Sequence, residues 1–99
     1  MRVLSHPEAA EELEAAALWY EQCQPGLGGA YLDQFERTLL RIIAEPERPH
    51  KLRGENRKLN FRRFPYAIVY RVRDDSIQII AVMHLHRRPF YWRMRQIPT

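Results

Sequence analysis

Cysteine occurs once in the 99 residues, at Cys23. That scarcity excludes an internal disulfide framework and any zinc site built from several thiolates, so packing alone must hold the core together. Lysine is almost as scarce, since 14 of the 16 basic side chains are arginine and only Lys51 and Lys58 are lysine. Arginine's planar fork favours bidentate contacts with phosphate or carboxylate over diffuse attraction. No stretch approaches the roughly 20 apolar residues of a membrane span, and the apolar patch of Met1-Arg2-Val3-Leu4 is far too short for a signal peptide. The expected setting is therefore a reducing cytoplasm, without membrane contact. Internal repeats and low-complexity tracts are lacking too.

What is present fits one domain, residues 1–99, with 45% hydrophobic content. A chain this short buries roughly 60 to 70% of its unfolded surface around a single core. The net charge of +4 hides an asymmetry: residues 1–50 carry four arginines against nine acids, whereas residues 51–99 carry 12 basic side chains against three acids. Positive charge concentrated in one part of a small fold is the footprint of a polyanionic partner, either nucleic acid or an acidic protein segment.

The clearest pattern in the chain is Phe64-Pro65-Tyr66-Ala67-Ile68-Val69-Tyr70-Arg71-Val72-Arg73, followed after Asp74-Asp75 by a second alternating run from Ser76 to His84. Alternation with period two and a short polar link predict a β-hairpin at the middle of a sheet, although its turn lacks glycine. Upstream, Arg2–Ser5 reads as a short first strand. His6-Pro7 then opens a helix, with His6 as its cap because proline disfavours helical geometry in the residue before it. Ala9, Leu13, Ala16, Ala17 and Tyr20 mark the apolar face, and the helix ends near Cys23. Glu8, Glu11, Glu12 and Glu14 read as a solvent face favoured by the helix dipole. After the Pro25-Gly26 turn, a second amphipathic pattern runs through Tyr31, Leu32, Phe35, Leu39, Ile42 and Ile43 to Ala44. Trp19, Tyr20 and Tyr31 read as core or rim aromatics. Residues 46–56 read as a loop by their proline and glycine content. Residues 57–64 read as a strand that Pro65 ends or turns. The tail 89–95 is expected to form a short helix or an ordered arm.

This order implies an α+β fold: an N-terminal strand and a two-helix antiparallel hairpin packed on one face of a mostly antiparallel sheet of three to four strands. The other sheet face is expected to stay open to a partner.

In its ordered features the chain resembles the RelE/ParE superfamily of bacterial toxins from type II toxin-antitoxin systems, the plasmid stabilisation proteins. The features are His6-Pro7-Glu8-Ala9, Trp19-Tyr20, Pro25-Gly26-Leu27-Gly28, Phe64-Pro65-Tyr66 with Ile68-Val69-Tyr70-Arg71, and His84 with Arg87-Arg88-Pro89 and Tyr91-Trp92-Arg93. The resemblance implies a growth-inhibiting toxin neutralised by a cognate antitoxin protein, and it offers two mechanisms. RelE-like members cut mRNA on the ribosome as metal-independent endoribonucleases, or mRNA interferases. ParE-like members act on DNA gyrase without a hydrolytic site. The leading expectation from sequence is ribosome-dependent mRNA cleavage, with gyrase inhibition as the alternative and a basic RNA-binding module without toxicity as a third reading.

Metal-free RNA cleavage needs a base for the 2′-hydroxyl, cations for the phosphorane and an acid for the leaving oxygen. His84, His86, Arg62, Arg87 and Tyr91 supply those types, and they roughly match the places where RelE-like toxins carry an Arg before the central hairpin and an Arg, His or Tyr after the last strand. A histidine, with a reference pKa of about 6.5, serves in either protonation state. Alternation puts His84 and His86 on one face if the strand persists that far. Arg62, in phase with Lys58, is the arginine expected on the open side. Lys51, Arg53, Arg57, Lys58, Arg63, Arg88, Trp92 and Arg95 are the candidate contacts to target or antitoxin, with Trp92 better suited to anchoring the tail on the core than to stacking on a base. No cofactor is expected, and His84-Leu85-His86 lacks a third metal ligand of matching spacing.

Overall fold

The structure is a computed structural model and describes residues 1–97. Strand β1 (Arg2–Ser5) leads into helices α1 (Pro7–Cys23) and α2 (Leu27–Ala44), followed by strands β2 (Lys51–Arg53), β3 (Asn56–Asn60), β4 (Tyr66–Arg73) and β5 (Ser76–His84). The sheet order is β1-β5-β4-β3-β2. β1 runs parallel to β5 and every other pairing is antiparallel. The sheet thus has five strands, more than the sequence suggested. The addition is β2, which lies inside the expected loop 46–56: Gly54, with φ of 60°, lets the chain reverse and lay Lys51–Arg53 against β3. β3 in turn stops at Asn60, short of the expected strand 57–64, because Phe64 adopts φ of 76° and the chain corners at Pro65. Among the described residues no helix is long and apolar enough to cross a membrane.

Local chemistry explains the helix ends. His6 is extended at the cap of α1, and its Nδ1 accepts a hydrogen bond from the Glu8 amide, with Pro7 at the first helical position. The N-terminus of α2 has no cap of its own. The Glu21 carboxylate of α1 accepts from the amides of Gly26 and Gly28 at 3.0–3.1 Å, so one helix supplies the anion that the other's dipole favours. At the β4–β5 turn, Asp74 and Asp75 both take left-handed geometry, with φ of 51° and 58°, the twist a two-residue hairpin needs even without glycine.

The sheet separates two apolar clusters. On the helix side Tyr31, Ile42, Ile68, Tyr70, Ile77 and Ile79 pack with the alanine face of α1. On the reverse side Ala67, Val69, Ile80, Ala81 and Met83 are covered by Trp92 and Ile97. The expectation of an open reverse face is therefore corrected: the tail, forming turns after His84, folds back and buries Trp92 to 1% exposure. Bare apolar sheet surface in water is unfavourable by about 25 cal/mol per Å², and the tail removes it.

Helix–helix approach is closest at Gly28, where an added Cβ would lie 2.6 Å from the Ala17 carbonyl oxygen and 2.9 Å from Glu21 Cβ. Because the first contact is backbone, a side chain there cannot be accommodated by rotation. Gly28→Ala is expected to lower stability by about 2 kcal/mol and Tm by roughly 10 °C, read by thermal circular dichroism. An unchanged Tm would contradict this packing.

Candidate functional site

Two places gather the polar side chains singled out from the sequence. The first lies where β5 ends against α1. A β-bulge between Val69/Tyr70 and their partners shifts the register, so that Val69 faces Ala81 and Tyr70 faces Ile79. Ile80 and Ala81 then both join the reverse cluster, and the residues after them change phase. His84 consequently pairs with Tyr66 and lines a hollow of about 340 Å³ against α1, together with Glu12, Trp19 and Arg87. The imidazole is edge-on to Tyr66 at 5.1 Å between ring centroids. The strand ends at His84, yet a turn keeps His86 close, with the two imidazoles 5.2 Å apart.

The chemistry of this hollow is constrained by hydrogen bonds already made. His84 Nδ1 accepts from the His86 amide at 3.0 Å, which leaves Nε2 to carry the proton of a neutral imidazole and offer it as a donor. Tyr91 donates its hydroxyl to Glu12 Oε2 at 2.6 Å. Burial first, and then that hydrogen bond to a carboxylate, push the Tyr91 phenol well above the ordinary tyrosine value. It is a poor proton donor to a leaving group. Arg87, an exposed residue, lies over the Tyr91 ring at 3.9 Å in a cation–π contact. Trp19, at 59% exposure, forms an apolar ledge beside the hollow.

Behind this site Glu12 joins three parts of the chain. Its Oε1 accepts from the Val82 amide at 3.1 Å and from Arg95 Nη1 at 2.9 Å, while Oε2 accepts from Arg95 Nη2 at 3.0 Å and from Tyr91. Arg95 also donates to the Ile80 carbonyl at 3.1 Å and pairs with Glu8 at 3.2 Å. Burial by itself would lower the Arg95 pKa, but the hydrogen bonds and charge of Glu12 outweigh it and the net direction is upward. Glu12 was expected among the solvent-facing helix acids and instead points inward, because the charge that accompanies it comes from the tail. Sequence periodicity carried only one hint, its spacing of three from Ala9 and four from Ala16 on the packed side of α1.

The second place is at the far end of α2. Arg62 does not join the histidines: it lines a separate hollow of about 560 Å³ with Arg41 and Arg48. The expected single hollow containing Arg62, His84, His86, Arg87 and Tyr91 on an open sheet face is thus replaced by two hollows, since the bulge turns His84 toward α1 and the corner at Phe64 carries Arg62 to α2. Other candidates are engaged within the fold. Arg57 donates to the carbonyls of Glu47 and Pro49 and so ties down the segment before β2. Lys51 pairs with Glu55 at 3.1 Å. Arg53 and Arg63 lie over the rings of Phe90 and Phe64. Trp92 and Arg95, expected as contacts to a target, are core and tail anchors, closed off by burial and by Glu12. Lys58 is half-buried on β3, whereas His86, Arg87 and Arg88 are exposed. Among the described residues no group of three or more His, Cys, Asp or Glu side chains is placed to hold a metal ion.

A helix hairpin on a mixed sheet, with its polar groups at the end of the last strand, defines the RelE/ParE-like fold. The chain matches the family described as the ParE toxin of type II toxin-antitoxin system, parDE, over residues 3–89, and it belongs to that family. Among solved structures it is similar to a chain from the "Chromosomal ParDE TA system from P. aeruginosa", with a TM-score of 0.75 and 19% identity over 87% of this chain and 97% of that one. At that identity the likeness is one of fold. No curated protein matches the chain. Membership of a ParDE system implies a cognate ParD antitoxin as partner. Tyr91, Trp92 and Arg95 lie beyond the matched residues, although Tyr91 and Trp92 complete the reverse cluster and Arg95 ties the tail to Glu12.

Replacing Glu12 by Gln preserves shape but leaves Arg95 with the more exposed Glu8 in place of its bidentate partner, at an expected cost of about 3 kcal/mol. Tyr91→Phe removes one bond to a charged acceptor and is expected to cost about 1.5 kcal/mol. In a Trp19→Phe background, Trp92 emission should shift to the red at lower urea for Glu12→Gln than for the parent. Coincident transitions would show that Glu12 does not hold the tail.

Proposed function

We propose that this chain is a growth-inhibiting toxin that acts by binding DNA gyrase, without hydrolysing a bond itself, and that a ParD-type antitoxin holds it inactive. The observation that carries this reading is the state of the groups a nuclease would use. His84 Nδ1 already accepts a hydrogen bond, the Tyr91 hydroxyl is given to Glu12, and Arg62 stands in a different hollow. General acid–base catalysis requires its groups within hydrogen-bond reach of one reacting centre. Recognition does not. The exposed ledge of Trp19, the Nε2–H of His84 and the cations Arg87 and Arg88 are a suitable contact surface for an acidic or polar protein segment, with Lys58, Arg53 and Arg63 as further contacts at other edges. Family membership points the same way, because ParE-like members are the non-hydrolytic branch of the superfamily.

One observation favours the other mechanism. His84, His86 and Arg87 are close together at the strand end, an imidazole pair beside a guanidinium, and such a group suits a phosphoryl centre. Under that reading the chain is an mRNA interferase working on the ribosome. The two diverge in their dependence on His84. Loss of a general acid or base costs about 10²- to 10⁴-fold in rate, whereas loss of one hydrogen-bond donor at an interface costs about tenfold in affinity or less.

Induced expression without antitoxin should arrest growth, leave transcript ends unchanged and produce gyrase-linked DNA damage, and purified toxin should inhibit gyrase supercoiling. His84→Ala should weaken that inhibition by no more than about tenfold. New mRNA ends that vanish in His84→Ala would transfer the reading to RNA cleavage, and normal growth of the expressing cells would remove toxicity itself.

A further inference from the structure

The hollow at the end of α2 has no part in the reading above. Its walls are two guanidiniums from elements far apart in sequence, Arg41 in the last turn of α2 and Arg62 at the corner after β3. The same two side chains also line an adjoining hollow of about 260 Å³ beside Arg37 and Leu40, so they form a shared wall between neighbouring depressions. The outer cations are balanced, Arg37 by Asp33 at 3.0 Å and Arg48 by Glu45 at 3.1 Å. The inner pair is not. Among the described residues neither Arg41 nor Arg62 has a carboxylate partner, and the polar contact of Arg41 is the Asn60 carbonyl at 3.5 Å.

Like charges gathered in a concave place are unfavourable until an anion joins them. Burial first, and then the neighbouring charge of Arg62, hold Arg41 below the ordinary arginine value. An arriving anion would relieve that repulsion. A single buried carboxylate would need one fork, whereas two depressions separated by a cationic wall suit an anion that repeats along a chain. Leu59 and Pro49 give the larger depression an apolar side, against which a sugar can rest between charged groups. Glu45 also lines this depression, but its carboxylate is bonded to Arg48, which leaves Arg41 and Arg62 as the lining cations without a carboxylate partner among the described residues.

We propose that Arg41 and Arg62 form a sequence-independent nucleic-acid contact that takes successive phosphates of one strand, on the opposite flank of the helix hairpin from the His84 hollow. The inference goes beyond gyrase binding and does not depend on it. A toxin with such a contact would hold nucleic acid and protein target with different surfaces.

Fluorescence anisotropy with a labelled 20-base-pair DNA duplex and a labelled single-stranded RNA, at several potassium chloride concentrations, tests it. The wild-type chain should bind at low salt without sequence preference. Arg62→Ala and Arg41→Gln should each weaken binding by about five- to tenfold and reduce the slope of log affinity on log salt by roughly one. Arg73→Ala, at the β4–β5 turn, should leave that slope unchanged. Arg62 is exposed, so Arg62→Ala keeps the fold, and an unchanged melting temperature verifies it. The tighter of the two probes identifies the strand type. Absence of binding to both, a slope insensitive to Arg62, or equal displacement by polyglutamate would overturn the proposal, the last by assigning the pair to an acidic protein. Gyrase inhibition that survives in Arg62→Ala would leave the gyrase reading standing, whichever way the binding result falls.

Discussion

A carboxylate lodged between a helix and a sheet is costly unless its oxygens are hydrogen-bonded, and Glu12 of α1 meets that demand with groups from β5 and the tail. Its oxygens accept from a bulged strand amide, a tyrosine hydroxyl and both terminal nitrogens of an arginine. Each contribution depends on the others. The bulge frees the Val82 amide, the tail must fold back to bring Arg95 within reach, and the folded tail buries Trp92 on the reverse face. Helix, sheet edge and tail are thereby held in one arrangement, and the exposed end of β5 inherits its geometry from it.

The consequence for function is a division of surfaces. One face of the sheet belongs to the helices and the other, at its centre, to the tail, so partners are left with the flanks. At one flank a tryptophan ledge, an imidazole donor and the stacked Arg87 surround a hollow beside α1. At the other, two unbalanced guanidiniums face outward at the end of α2. A small fold of this family can in this way present chemically distinct edges while its core stays closed.

Much of the architecture was legible because its causes are local. The His6-Pro7 cap, the breaks after Cys23 and Ala44, and the alternating hairpin around Asp74-Asp75 each rest on a few neighbouring residues, and the helix hairpin follows from two apolar stripes and a short turn. What escaped notice is non-local. Glu12 sits in the acidic opening turns of a helix, where solvent exposure is the ordinary outcome, and its partner Arg95 is 83 residues away. The bulge at Ile80–Ala81 has no marker such as glycine, yet it reverses the phase of everything after it and turns His84 to the helix side. β2 was hidden among prolines, and its pairing depends on Gly54 and on Arg57 tethering the preceding loop. The residue types of the site were visible in the sequence. Their grouping was not, because one extra strand residue and one left-handed phenylalanine decide it.

The position of the tail bears on how the chain matures during synthesis. The residues that shield the reverse of the sheet follow it in the chain, so a polypeptide synthesised only as far as β5 carries a bare patch of Val69, Ala81 and Met83. Closure of the reverse face thus waits until Trp92 and Ile97 have left the ribosome. A message cut short before the codon for Trp92 would yield a sticky fragment rather than a weaker version of the same protein.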